Sequence, residues 1–234
     1  MRHQMVTDLT WCTVDGGGRG AAVLVMDSRR WLVRDYDGKT AAERVAERRE
    51  RLIDAGVELF GDRGYAATSI RSVLQQSGLR DRYFGESFAD LDSLLAAVYS
   101  RLIDEEISGC AAAIENTSGG SEGARAMIDT ITRSFEKNPG KARIKSREVL
   151  SGGPVAGEQR RAGLRRLAQL VADLLPPSTA LNRSDVLLLG LSIVAAADEL
   201  LLTWMDSAEG LTRDRVVDMV TLLFDATAHH ISST

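Results

Sequence analysis

The sequence predicts an all-α protein, with an N-terminal three-helix unit containing a helix-turn-helix and a larger C-terminal helical unit for ligand binding and dimerisation. Three observations predict it. From Thr40 to the C-terminal end, apolar residues recur at helical spacing. Breaks rich in glycine, asparagine, serine and proline punctuate the pattern at 61–64, 77–79, 116–120, 138–140, 151–153, 176–184 and 207–210. No segment alternates in the manner of a half-buried strand.

Composition bounds what such a protein does. Its 234 residues are 44% hydrophobic, enough for a packed core, and the 29 Lys and Arg against 33 Asp and Glu leave a net charge of -4. The whole molecule carries no electrostatic footprint for nucleic acid, so any such contact must be local. Cys12 and Cys110 are too few for a disulfide framework, which points to a reducing, cytoplasmic setting. His3 is distant from the adjacent pair His229 and His230, which cannot share a helical face, so neither a metal site nor a catalytic nucleophile, base and acid can be assembled. No metal, cofactor or enzymatic activity is expected. The apolar run 186–205 is long enough to raise a membrane span, but Asp198 and Glu199 interrupt it, each costing about 2.5 to 3.5 kcal/mol at the bilayer centre. It reads as a covered helix of a protein with no membrane partner.

Residues 1–38 are an N-terminal extension. They hold two of the three tryptophans and a Gly16-Gly17-Gly18-Arg19-Gly20 run that lacks the strand, helix and Lys-Ser/Thr pair of a phosphate loop. Residues 39–95 form the helix-turn-helix unit, and 96–234 the second unit. In the first helix Val45, Leu52, Ile53, Val57, Leu59 and Phe60 share a face, and Gly61-Asp62-Arg63-Gly64 stops it. Thr68 or Ser69 supplies an N-cap hydroxyl for a short helix carrying Ile70, Val73 and Leu74. Ser77-Gly78-Leu79 then turns the chain into a second short helix, 81–88.

The turn needs Gly78 because a positive φ is easiest there, and the facing sides of the two helices need the small or apolar Val73, Leu74, Leu79, Phe84 and Phe88. The exposed start of the second helix presents Arg80, Asp81, Arg82 and Tyr83, of which the arginines suit guanine edges or phosphate. A plain helical hairpin with solvated arginines has the same pattern, so the motif alone leaves both readings open.

The stretch from Arg49 to Leu94 decides between them. Ala55, Leu59-Phe60, Gly64-Tyr65, Thr68-Ser69, Gly78, Phe88 and Leu94-Leu95 are spaced as in the N-terminal domain of the TetR family, which this segment resembles over about fifty residues. The resemblance implies a homodimeric transcriptional regulator, a repressor that binds a double-stranded DNA operator and is released by a small-molecule effector. With Arg80, Asp81, Arg82 and Tyr83, the residues Thr68, Ser69, Arg71 and Ser87 complete the expected DNA-contacting set. The sequence also departs from the family, which usually has tyrosine, histidine and lysine where Gly85, Ser87 and Leu91 stand. Those family residues commonly touch phosphate, so their loss weakens or redirects binding, and a helical dimer that has lost DNA binding is the alternative. Arg80 replaces a usual Ser or Thr cap. Lys39, Arg44, Arg48, Arg49 and Arg51 either compensate as cations or pair with Glu43, Glu47 and Glu50 along the helix.

In the second unit the resemblance is one of layout. Met127, Ile128, Ile131 and Phe135 lie at helical spacing, and with Trp204 and Met205 they are candidates to line an apolar effector pocket or to pack as core. The helix 184–206 carries Asp185, Ser192 and Glu199 on one stripe and is otherwise almost wholly apolar, so it must be covered on most sides. The helix 212–231 adds Val216, Val220, Leu223, Phe224, Thr227 and Ile231, and the pair is expected to form a four-helix dimer interface. Arg160, Arg161, Arg165 and Arg166 form a basic patch that reads as a solvated face.

Overall fold

Capping chemistry sets the helix boundaries in the computed structural model, which describes residues 40–206 and 210–233. The expected extension 1–38, with its glycine run, Cys12 and His3, and Lys39 lie outside the described residues. Among the described residues the order is α1 (Ala41–Asp62), α2 (Ile70–Ser77), α3 (Asp81–Ser87), α4 (Leu91–Glu115), α5 (Gly120–Lys137), α6 (Pro139–Ser146), a 3-10 turn (Glu148–Ser151), α7 (Pro154–Leu174), α8 (Arg183–Met205) and α9 (Arg213–Ser233), with no strand.

Ser69 is the cap of α2, in a reciprocal box with Ser72, and Asp90 does the same for α4 with Ser93. Thr68 plays another part: it is buried and donates its hydroxyl to the Gly64 carbonyl at 2.8 Å. Asn182 accepts from the amides of Ser184 and Asp185 to open α8. Proline opens α6 and α7. The first turn of α7 lacks a cap from its own chain segment, and a buried carboxylate from α4 supplies one. Asp92 accepts from the amides of Gly153 at 2.7 Å, Val155 at 2.9 Å and Ala156 at 3.2 Å. A Cβ on Gly153 would stand 2.6 Å from that carboxylate, so only glycine lets the helix end approach so closely.

Leu52 and Phe60 of α1, Val73 of α2 and Phe84 of α3 close one apolar core, which continues through Leu94, Val98 and Tyr99 of α4. Burying each such side chain contributes roughly 1.5 to 3 kcal/mol. Because α4 runs unbroken from Leu91, it belongs to the packing of both expected units. Val45 falls off the buried face of α1, at 41% exposure.

The remaining helices form a bundle in which α7 and α8 approach so closely that a Cβ on Gly190 would lie 2.4 Å from the Ala168 carbonyl oxygen. The four arginines of the α7 patch are all paired: Arg160 with Asp198 at 2.7 Å, Arg161 and Arg165 with Glu158, and Arg166 with Asp104 at 2.6 Å. α8 has a mean hydropathy of 2.0 over its most apolar window, yet only 22% of that window is buried. Leu188, Ser192, Ala195 and Glu199 make its outward stripe. The apolar stripe of α9 differs from the expected one in its role: Val216, Val220, Phe224 and Ile231 are buried within this chain, and Leu222 and Leu223 point outward beside them.

Candidate functional site

The first site grows from the turn between α2 and α3. Gly78 sits there at φ 65°, in the left-handed region, and closes α2 with its amide on the carbonyls of Leu74 and Gln75. Arg51 of α1 adds a cation at the same helix end, donating to the Ser77 carbonyl at 2.5 Å. Phe84 and Phe88 turn inward with ring centroids 5.8 Å apart, and Arg49 covers the Phe88 ring at 4.5 Å. Thus Arg49 and Arg51, two of the cations considered for DNA, hold the motif together.

The outward side of α3 carries Arg80, Asp81 and Arg82, all exposed, with Arg71 exposed on α2 and Ser69 at its start. Arg80 occupies the N-cap position without a side-chain cap bond, which leaves its guanidinium to other partners. Tyr83 is half-buried and gripped from two sides: Arg82 donates to its hydroxyl at 2.5 Å, and Arg48 of α1 lies 4.5 Å from its ring centroid. The Arg82 hydrogen bond holds the phenol below its ordinary pKa. Arg48 also pairs with Glu86 at 3.4 Å, while Glu50 and Asp54 reach Arg101 of α4 at 3.5 and 2.6 Å. Ser87 is half-buried at the end of α3, and Gly85 faces open space, with nothing within 4 Å of an added Cβ. Thr68 is the member of the expected set whose side chain is buried.

The second site is a cavity inside the bundle, with about 710 Å³ of space not filled by atoms, part of it open to solvent. Met127, Ile128, Ile131 and Phe135 of α5 line it, with Tyr99 of α4 and Phe224 of α9. Trp204 and Met205 do not line it. They lie at the end of α8, where Met205 meets the Ser146 hydroxyl, and the stripe of α8 that faces the cavity is the one carrying Ile193, Val194, Ala197, Asp198 and Leu201. Three charged groups stand in the wall: Glu106 and Lys145, which were not singled out from sequence, and Asp198, which was noted only as an interruption of the apolar run. Glu106 and Lys145 pair with each other at 8% exposure each, and Asp198 pairs with Arg160. Burial raises the pKa of Asp198 despite that arginine, and burial pushes Lys145 down to about 7. Their signal in the sequence was a charge set into a buried helical stripe, as in Tyr99, Ile103, Glu106 and Cys110.

One connection joins the two sites. Lys145 of α6 lines the cavity, while Arg143 on the same helix and Glu148 just beyond it hold the end of α1. Glu148 accepts from the Tyr65 amide at 2.6 Å and from Arg143 at 2.7 Å, and Arg143 reaches the Asp62 carbonyl at 3.4 Å. Gly64, at φ 86°, leaves the room that this pair occupies.

No family model matches the chain. The HTH-type transcriptional activator FasR of Mycolicibacterium smegmatis is 22% identical over 172 residues, 74% of this chain and 78% of that protein. The transcriptional regulator FadR of Bacillus subtilis, solved in complex with stearoyl-CoA, superimposes with a TM-score of 0.62 at 15% identity, covering 75% of this chain and 96% of FadR. A TetR-family transcriptional regulator of Pectobacterium atrosepticum gives a TM-score of 0.58 at 21% identity, covering 82% and 97%.

Proposed function

We propose that this chain, whose fold is that of the TetR-family transcriptional regulators, is a DNA-binding regulator that acts as a homodimeric repressor and is released from its operator by a small effector. The observation that carries the reading is the helix-turn-helix whose inner side is mainly apolar and whose outer side offers Arg71, Arg80, Asp81 and Arg82. That division of labour suits insertion of α3 into a major groove, with Ser69 and Tyr83 beside it and Ser87 at its far end. Thr68 supports the site from within through Gly64.

The cavity in the bundle supplies the sensor. The cavity suits an effector with an apolar part, and the stearoyl-CoA held by the similar FadR supports this. An effector that shifts α6 would act on α1 through Arg143 and Glu148, since these are the polar ties between α6 and the residues that precede α2. The outward faces of α8 and α9 supply the dimer contact, because Leu188, Leu222 and Leu223 stand exposed on them.

The test is an electrophoretic shift with the DNA flanking the protein's own gene, repeated across salt. Arg80→Ala or Arg82→Ala should cost about 1 to 3 kcal/mol where the arginine reads a base, with relaxed sequence preference. Where it touches phosphate instead, all sequences weaken alike and the salt slope falls by about 1. Specific binding that both variants leave intact would put the recognition surface elsewhere. Absence of any shift would favour a dimer that has lost its DNA function.

A further inference from the structure

Four side chains in the cavity wall carry polar groups: Tyr99, Glu106, Lys145 and Asp198. Three of them are paired within the chain, Glu106 with Lys145 and Asp198 with Arg160 of α7 at 2.7 Å. Tyr99 differs, because it is only 1% exposed and its hydroxyl has no hydrogen-bond partner among the described residues. The fully buried side-chain atoms that lack a partner are the Nε atoms of Arg101 and Arg213. The phenolic oxygen, also without one, therefore keeps contact with open space, which for a residue of this wall is the cavity. Helix α7 makes room for the ring: a Cβ on Gly163 would stand 2.9 Å from the Cε1 of Tyr99 and 3.2 Å from its hydroxyl. Phenylalanine would fill the same place without leaving an O–H short of a partner, and a buried polar group in that state costs stability. Packing alone therefore does not account for the tyrosine.

We propose that Tyr99 selects the effector: its hydroxyl donates to a carbonyl oxygen of a neutral, mainly apolar molecule that lies within the cavity. The inference rests on the reading of the cavity as the effector site. Neutrality follows from the pairs. The two carboxylates and the ammonium of the wall already meet opposite charges. An entering ion would either stay unpaired in an apolar space or break a buried pair, and both are costly. A carbonyl needs only a donor, and the unpartnered phenol is one. Burial raises its pKa, so at neutral pH it remains an O–H. The rest of the wall is apolar, from Met127 and Phe135 of α5 to Phe224 of α9, so the body of the molecule is apolar as well.

The experiment measures, by equilibrium dialysis against the full chain, four probes built on one ring system and substituted at the same position. They are acetylnaphthalene, which has a neutral carbonyl, ethylnaphthalene, which has nearly the same shape without the oxygen, naphthoate and naphthylmethylammonium. Acetylnaphthalene should bind about tenfold tighter than ethylnaphthalene, and each ion should bind about tenfold more weakly than acetylnaphthalene or worse. Tyr99→Phe should abolish the preference for acetyl over ethyl and leave the affinity for ethylnaphthalene unchanged. Without ligand, the same variant should melt at the parent's temperature or above it, because no bond within the chain is lost. An acetyl preference that survives Tyr99→Phe, or an ion as the tightest of the four, would overturn the assignment and leave the cavity as an effector site of other chemistry. A lower melting temperature for the unliganded variant would tie the hydroxyl to the protein and overturn it too. Failure of all four probes to bind would overturn the cavity reading itself.

Discussion

The helix-turn-helix unit and the helical bundle use their interiors in opposite ways. In α1 to α3 the inside is apolar and closed, with Leu52, Phe60 and Val73 fully buried, and every charge lies outside. In the bundle the inside keeps unfilled space and holds Lys145, Glu106 and Asp198 in its wall, while large apolar side chains such as Leu188 and Leu222 stand on the outside at 58% and 59% exposure. A surface that reads DNA needs a rigid support, and a closed apolar core provides it. A sensor needs room and a polar group free to meet a ligand. The inversion is what the proposed division of labour, DNA contact by the first unit and effector and dimer contacts by the bundle, would produce.

The largest effect should come from the outer side of the bundle. Leu188→Glu or Leu223→Glu places a charge on the exposed apolar faces of α8 and α9 and should convert a dimer to a monomer in sedimentation velocity. The same change at Val45 or Ile70, the exposed apolar residues of the first unit at 41% and 38%, should leave the mass unchanged. A dimer that survives both bundle variants would break the comparison, because the exposed leucines would then need another explanation.

Interiors separate the units next. Ala55 is buried in α1 at 3% exposure, where Leu should overpack the core and cost about 1 to 3 kcal/mol in chemical denaturation. Ala197 lines the cavity, so Ala197→Leu should be close to neutral for stability while reducing ligand affinity. Equal losses would mean that the cavity is as tightly filled as the first core.

The same contrast explains what was legible in the sequence. The N-terminal unit is built from local signals: Ser69 caps the helix beside it, Gly78 turns the chain that follows, and Phe84 and Phe88 face inward by helical spacing alone. Four of the cavity residues, Met127, Ile128, Ile131 and Phe135, were readable for the same reason, being one stripe of one helix. The rest depends on pairs far apart in the chain. Asp92 caps a helix some sixty residues downstream, Lys145 meets Glu106 across 39 positions, and Glu148 reaches Tyr65 across 83. Trp204 packs against the core without lining the cavity, because composition says that it is apolar and not which face of α8 turns toward the cavity. Of the α9 stripe expected at the dimer face, Val216, Val220, Phe224 and Ile231 are buried within this chain, while Leu223 stays exposed.

The smallest effect tests the one loose position in the otherwise closed first unit. Gly85 lies in the interior of α3, a helix of 7 residues, with a φ outside the left-handed region and nothing within 4 Å of an added Cβ. Glycine there costs helix stability through the freedom of the unfolded chain, and no contact in the folded protein repays it. Gly85→Ala should therefore stabilise the protein by about 0.5 to 1 kcal/mol, a rise in melting temperature of about 1 to 4 °C for a chain of this size. Alanine supplies no phosphate donor, so operator affinity should rise only as far as a firmer α3 allows. Gly85→Tyr adds the hydroxyl that the family resemblance leads one to expect there, and it should strengthen binding to all sequences alike. The difference between the two variants isolates the donor from the backbone. A stability loss with alanine would mean that α3 needs its glycine for a conformation it adopts on DNA, and tyrosine would then weaken binding instead of strengthening it.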